Sequence, residues 1–129
     1  MMNDLIQRAS ADQARASDPQ ASVFVSANAG TGKTKLLTDR VLRLLLSGAE
    51  ADSILCVTYT RAAAAEMRNR IYARLASWAI VSTADLTTDL QSMGIMVPTQ
   101  ANIGLARMLF AKILDNDNRP RVQTCLLYT

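Results

Sequence analysis

An α/β fold built on a parallel sheet is the class this sequence predicts, and two observations predict it. Short apolar runs suited to strands alternate with stretches whose apolar residues recur at helical spacing, the pattern of a parallel sheet with right-handed crossovers. Between the first such run and the following helix stands Ala27-Asn28-Ala29-Gly30-Thr31-Gly32-Lys33-Thr34, a glycine-rich P-loop of the phosphate-binding type. Its strand–loop–helix setting is the one that motif requires.

The elements follow in order. Residues 3–16 read as a helix with Leu5, Ile6 and Ala9 on one face. Asp18-Pro19 ends it, because the residue before a proline is pushed out of helical space. Residues 22–26, with Val23, Phe24 and Val25 between two serines, form a short apolar strand that runs into the loop. A helix over 33–47 carries Leu36, Leu37, Val41, Leu44 and Leu45 at helical spacing, and Gly48 stands where a C-terminal cap glycine belongs. Residues 53–59 form a second apolar strand. Thr60 can cap the next helix, which runs to residue 78 with Met67, Ile71, Leu75 and Trp78 as its stripe. The pattern weakens over 80–98, where 85–93 reads as a short helix stopped by Gly94 and Pro98. Residues 99–114 form a helix with Ile103, Ala106, Leu109, Phe110 and Ile113 inward. Residues 115–120 are a turn-rich loop, and 122–128 a last strand. There is no internal repeat and no linker.

Composition narrows the function classes. The chain has 129 residues, enough for one domain with a modest core, and half of them are hydrophobic, which excludes a disordered chain. No apolar run approaches the roughly 20 residues of a membrane-spanning helix. The first twenty residues carry Asp4, Arg8, Asp12, Arg15 and Asp18 and have no apolar core of the secretory kind, so a cytoplasmic protein without membrane partners is expected. Histidine is absent, which removes His-ligated zinc and Ser-His or Cys-His catalysis from this chain. Cys56 and Cys125 do not have the spacing of a metal site. A net charge of +3 permits nucleic-acid binding without arguing for it.

The loop carries the clearest chemistry. Gly30 and Gly32 allow backbone angles and a close approach that a side chain would block. The amides of Gly30, Thr31, Gly32 and Lys33 can then point at phosphate oxygens, and the helix that starts at Lys33 adds its positive N-terminal end. Lys33 reaches the terminal phosphates of ATP, and the Thr34 hydroxyl serves Mg2+. The other reading of these residues is a glycine-rich turn that caps a helix.

A second stretch closes the second strand, Val57-Thr58-Tyr59-Thr60-Arg61, followed by a run of four alanines and Glu66-Met67-Arg68-Asn69-Arg70-Ile71. Arg61, Arg68, Arg70 and Arg74 suit nucleic-acid phosphates, or else form a solvated helical face with a Glu66–Arg70 pair. Tyr59 suits stacking on a base, or else half-burial in the core.

Taken together, the loop and this second stretch resemble the UvrD/Rep family of superfamily 1 DNA helicases, where they correspond to motifs I and Ia. Within it the wording is nearest to the AddA branch, the helicase–nuclease subunits of bacterial double-strand-break repair. The resemblance covers residues 5–78 well and 99–124 loosely. It implies an incomplete RecA-like P-loop NTPase fold: residues 1–129 would be the N-terminal part of the first RecA-like ATP-binding domain, with 80–118 as a helical insertion. It implies ATP and Mg2+ as cofactors, with Ala27 to Lys35 around the phosphates, Lys33 and Thr34 catalytic and Thr34 also on the metal. Gln13 stands at the place of the motif that reads the adenine. Thr58, Tyr59, Thr60 and Arg61 match contacts to single-stranded DNA, with Tyr59 where the family often has phenylalanine and Arg61 where it often has asparagine. Single-stranded and duplex DNA are the implied partners, with an AddB-like nuclease subunit for the full-length protein.

The sequence also departs from the family. Arg121-Val122-Gln123-Thr124 resembles the start of motif Ib, but Cys125-Leu126-Leu127-Tyr128-Thr129 does not continue it and lacks the expected histidine. No aspartate–glutamate dipeptide occurs anywhere, so the acidic pair that the family uses to hold magnesium and orient water is missing. Asp115 and Asp117 stand in a turn-like loop instead. The expectation is therefore a truncated N-terminal piece of an ATP-dependent 3′-to-5′ DNA helicase of recombinational repair, inactive alone. The alternatives are an inert nucleotide-binding remnant and a small P-loop kinase. Only Arg107 and Lys112 supply positive charge within 80–118, which speaks against a kinase lid.

Overall fold

A computed structural model describes residues 2–20, 33–115 and 119–124, with backbone alone at 13 and 14. Among these residues five α-helices and two strands follow one another: α1 (Met2–Ala16), α2 (Lys33–Leu46), β1 (Leu55–Thr58), α3 (Arg61–Ile80), α4 (Thr83–Ser92), α5 (Gln100–Asp115) and β2 (Arg121–Thr124). The strands are parallel neighbours, with Leu55 opposite Arg121 and Thr58 opposite Thr124. A parallel pair needs a long crossover, and α3, α4 and α5 supply it. The described part is thus rich in helix around a small parallel sheet. The expected strand over 22–26 and the end of the expected strand over 122–128 lie outside the described residues.

The helix ends follow from local chemistry. After α2, Gly48 takes φ +98°, where an L side chain is strained. This lets its amide reach Leu45 O at 3.1 Å and the Ala49 amide reach Leu44 O at 3.1 Å, which helps satisfy the last carbonyls of the helix. Gly94 at φ +103° repeats the device after α4, with its amide on Gln91 O and that of Ile95 on Leu90 O. Thr60 caps α3 by accepting from the Ala63 amide at 3.1 Å, as its position predicts. Ser82 caps α4 by accepting from the Asp85 amide at 3.1 Å. Ser82 is exposed and far in sequence from both motifs, so Ser82→Ala isolates the cap. It is expected to lower the unfolding free energy by about 1 kcal/mol, and Ser82→Asp to restore it. Urea denaturation of the two variants checks this; equal midpoints would remove the cap from the account.

The core is built by α2, α3, α4, α5 and β2. It joins Leu42, Leu45, Ile71, Leu75, Trp78, Leu86, Leu90, Ala106, Leu109, Ile113 and Val122. The stripe expected on α3 is buried in full. On α2 the face is rotated: Leu36, Val41, Leu42, Leu45 and Leu46 are buried, while Leu37 is 46% exposed and Leu44 only partly buried. Six leucines in one helix suit several faces, and packing against α3 selects among them. On α5, Ala106, Leu109 and Ile113 are buried as expected, but Ile103 and Phe110 are only partly so.

Other boundaries differ from the sequence reading. Residues 51–53 wind into a 3-10 turn, so the strand expected from 53 begins at Leu55. Helix α4 starts two residues earlier than expected because Ser82 caps it, and α5 continues through Asp115. Asp115 is therefore helical and exposed, not part of a loop. Leu5 and Ile6 of α1 are exposed. Leu55 and Val57 are about 60% exposed on β1, where with Leu37 they line a shallow apolar cleft. Among the described residues no helix is long and apolar enough to cross a membrane.

Candidate functional site

Residues that bind ligands in parallel sheets gather at the carboxyl ends of strands and the amino ends of the helices that follow. Two such places carry the residues expected from sequence. The first is the start of α2, a helix of 14 residues that opens with Lys33 and Thr34. Lys33 is exposed there, and none of the ion pairs among the described residues involves it. An ammonium group at the positive end of a helix is electrostatically unfavourable by itself, and an anion placed between them relieves both. Thr34 is half-buried, and its carbonyl accepts from Thr38 Oγ1 at 2.7 Å. Lys35 is held against Asp39 at 2.8 Å, so it is already paired on the helix flank. Ala27, Asn28, Ala29, Gly30, Thr31 and Gly32 lie outside the described residues. Gln13 is in α1, one helical turn from its end.

The second place is the junction of β1 and α3. Thr58 ends β1, and its hydroxyl is shared between Thr60 O at 3.0 Å and Gln123 O at 3.3 Å. This ties the turn to β2. Tyr59 is 71% exposed, so it is not the half-buried core residue that its sequence also allowed. Arg61 is the first residue of α3 and is exposed. A cation here again opposes the helix field, which disfavours it unless an anion is nearby.

Arg61 and Arg68 line a cleft of about 380 Å³ with Ala64, Val122, Gln123 and Thr124. The arginine pattern seen in sequence thus divides. Arg61 faces the cleft. Arg68 donates to Val122 O at 3.1 Å and locks α3 onto β2. Arg70 pairs with Glu66 at 2.8 Å on the surface, as a solvated helical face predicts. Arg74 turns the other way and forks onto Asp89, with Nη2 at 2.9 Å and Nε at 3.2 Å. It therefore serves the packing of α3 on α4 and not an open face.

Gln123 and Thr124 were absent from the candidate residues read from sequence. Their signal lay in the motif resemblance of 121–124, which became spatial only through the parallel register with β1. Cys56, half-buried in β1, has its thiol pushed above its ordinary range by burial. It packs as a small apolar group. Among the described residues no cluster of three metal-ligating side chains occurs.

The sequence profile of the UvrD/REP helicase N-terminal domain matches residues 8–119. The chain belongs to the UvrD/REP helicase N-terminal domain family. Similar curated proteins include the AddA subunit of the ATP-dependent helicase/nuclease of Pediococcus pentosaceus. It is 36% identical over 100 residues, covering 74% of this chain and 8% of that protein. The proteins of the same name from Levilactobacillus brevis and Lactobacillus helveticus are 50% identical over 64 residues and 53% over 53. Those matches cover 50% and 41% of this chain and 5% and 4% of the relatives. The chain thus spans less than a tenth of the length of these relatives. No solved structure matches it. Both junctions of the UvrD/REP domain described above fall inside the matched residues.

Proposed function

We propose that this chain is the N-terminal part of the first RecA-like domain of an ATP-dependent 3′-to-5′ DNA helicase–nuclease of the AddA kind, acting in the cytoplasm in recombinational DNA repair. Residues 80–118 are then its helical insertion, and an AddB-like nuclease subunit the partner of the full-length protein. The observation that carries the reading is the placement of two cations, Lys33 and Arg61, each in the first turn of a helix within this family's domain and neither in an ion pair among the described residues.

The residues fit ATP with Mg2+. The exposed Lys33 ammonium can meet the terminal phosphates, and Thr34 presents a hydroxyl one residue further on. Amides of residues 27–32 complete the cradle in this reading, with Lys35 on its flank. Thr34 would hold the magnesium ion, which would supply positive charge to offset that of the phosphates. Gln13 reads the adenine. Thr58, Tyr59, Thr60 and Arg61 meet single-stranded DNA: Tyr59 offers a stacking face, and Arg61 and the start of α3 meet a phosphate.

Hydrolysis needs the acidic pair and the arginines of a complete enzyme placed together, and these 129 residues contain no aspartate–glutamate dipeptide. The chain by itself is expected to bind nucleotide weakly and to turn over almost none. Lys33→Ala is expected to weaken binding by about tenfold or more, the scale of a lost charge-assisted contact. A steady-state ATPase assay with single-stranded DNA, beside nucleotide titration, checks both. Turnover that Lys33→Ala abolishes would overturn the first expectation; equal affinity in the variant would overturn the second.

A further inference from the structure

Among the described residues, helix α1 is exposed along most of its length and is buried at its end. Residues 2–12 are exposed, whereas Ala16 and Ser17 are 9% and 0% exposed. At that end two arginines of α2 reach across. Arg40 Nη1 donates to the carbonyls of Ala16 and Asp18, each at 3.1 Å. Arg43 Nη1 donates to Ser17 Oγ at 3.0 Å. The last carbonyls of a helix have no partner within it and carry its negative end, so a guanidinium is well matched to them. Both Arg40 bonds leave from one nitrogen of a planar guanidinium, whose fixed N–H directions a lysine ammonium lacks.

The consequence is positional. Gln13 lies three residues before Ala16, in the turn that Arg40 holds. Lys33 lies seven residues before Arg40, two helical turns or about 10 Å along α2. One guanidinium therefore joins the turn of α1 that carries Gln13 to the helix that carries the phosphate-binding residues. We propose that Arg40 is a positioning residue for base recognition: it sets where Gln13 stands relative to the phosphate end of the site, with Arg43 assisting through Ser17. This rests on the reading of Gln13 as the residue that meets adenine. Hydrogen-bond recognition of a base tolerates displacements of only about 0.5 Å. A loosened α1 therefore loses base discrimination first and leaves the triphosphate contacts in place.

The experiment measures binding of ATP, GTP and inorganic tripolyphosphate, each with magnesium, to the 129-residue chain by displacement of a fluorescent nucleotide. The wild type is expected to prefer ATP. Gln13→Ala and Arg40→Ala are each expected to reduce the ATP-to-GTP affinity ratio by up to about tenfold, the scale of a lost hydrogen bond between neutral groups. Tripolyphosphate affinity is expected to stay within about twofold, and Arg40→Lys to fall between. A ratio that drops in Gln13→Ala but not in Arg40→Ala overturns the positioning role alone. A ratio unmoved by Gln13→Ala overturns the adenine reading, and this inference with it. Parallel loss of tripolyphosphate affinity and helical circular dichroism in Arg40→Ala makes the arginine merely structural and also overturns the proposal. A wild type that binds none of the three ligands overturns the nucleotide reading itself.

Discussion

Trp78→Ala is expected to lower the unfolding free energy by about 3–5 kcal/mol, the usual cost of removing a large aromatic from a core. Trp78 is fully buried near the end of α3 and shares the core with residues of α2, α4 and α5. Two costs combine. The lost ring leaves a cavity that helices pinned at several contacts close only in part. The indole N–H also donates to Asp89 Oδ2, so its removal takes one donor from a carboxylate that is about one-third exposed. Small domains are stable by only about 5–15 kcal/mol, so this change takes up much of the margin. Trp78→Phe separates the costs, since it keeps most of the ring and loses the donor; it is expected to lie nearer the wild type. Trp78 is the sole tryptophan, so urea denaturation is followed by far-ultraviolet circular dichroism in all three proteins. A loss below about 1 kcal/mol in the alanine variant would show that this corner of the core repacks freely.

Arg74→Met carries the second largest expected effect. Arg74 holds Asp89 with two nitrogens and approaches Asp39 Oδ1 at 3.5 Å, while Lys35 holds the other oxygen of Asp39 at 2.8 Å. The chain Lys35–Asp39–Arg74–Asp89–Trp78 thus ties α2, α3 and α4 together. The Asp39 side chain is only 4% exposed, whereas those of Arg74 and Asp89 are 27% and 32% exposed. Removing one member of a fully buried pair costs about 3–5 kcal/mol. Partial exposure of two members scales this down, and about 2–3 kcal/mol is expected. Arg74→Lys keeps the charge but cannot form the fork, so it is expected to recover less than half of that. A double-mutant cycle with Asp89→Asn measures the coupling, for which about 1–2 kcal/mol is expected. Coupling near zero would mean that the two charges are held apart by solvent.

This network also shows how far sequence reading extends. The α3 stripe, the Thr60 cap, the Gly48 cap and the parallel pairing class were legible because each rests on local periodicity or on a few neighbouring residues. The interior of α2 was not, since its leucines suit more than one face. Arg74 was grouped with Arg61, Arg68 and Arg70 because charge spacing along a helix does not say which residues meet a partner 15 or 35 positions away. The role of Arg40 was hidden for the same reason, its acceptors lying 22 and 24 residues upstream.

What the sequence alone determined is the family: a glycine-rich loop motif ahead of a helix and a threonine-tyrosine-threonine-arginine turn after a strand, in wording specific enough to name it. Those signals are short in range, and each is complete within about ten residues. The tertiary structure decided how the cations divide. Among the described residues Lys33 and Arg61 stand at helix starts outside any ion pair, Arg68 and Arg74 are engaged in packing, and Gln123 and Thr124 join the cleft of Arg61 through the register of β2. The physical reason is that a side chain's charge is read from its residue type, but its partner depends on chain segments that only folding brings together.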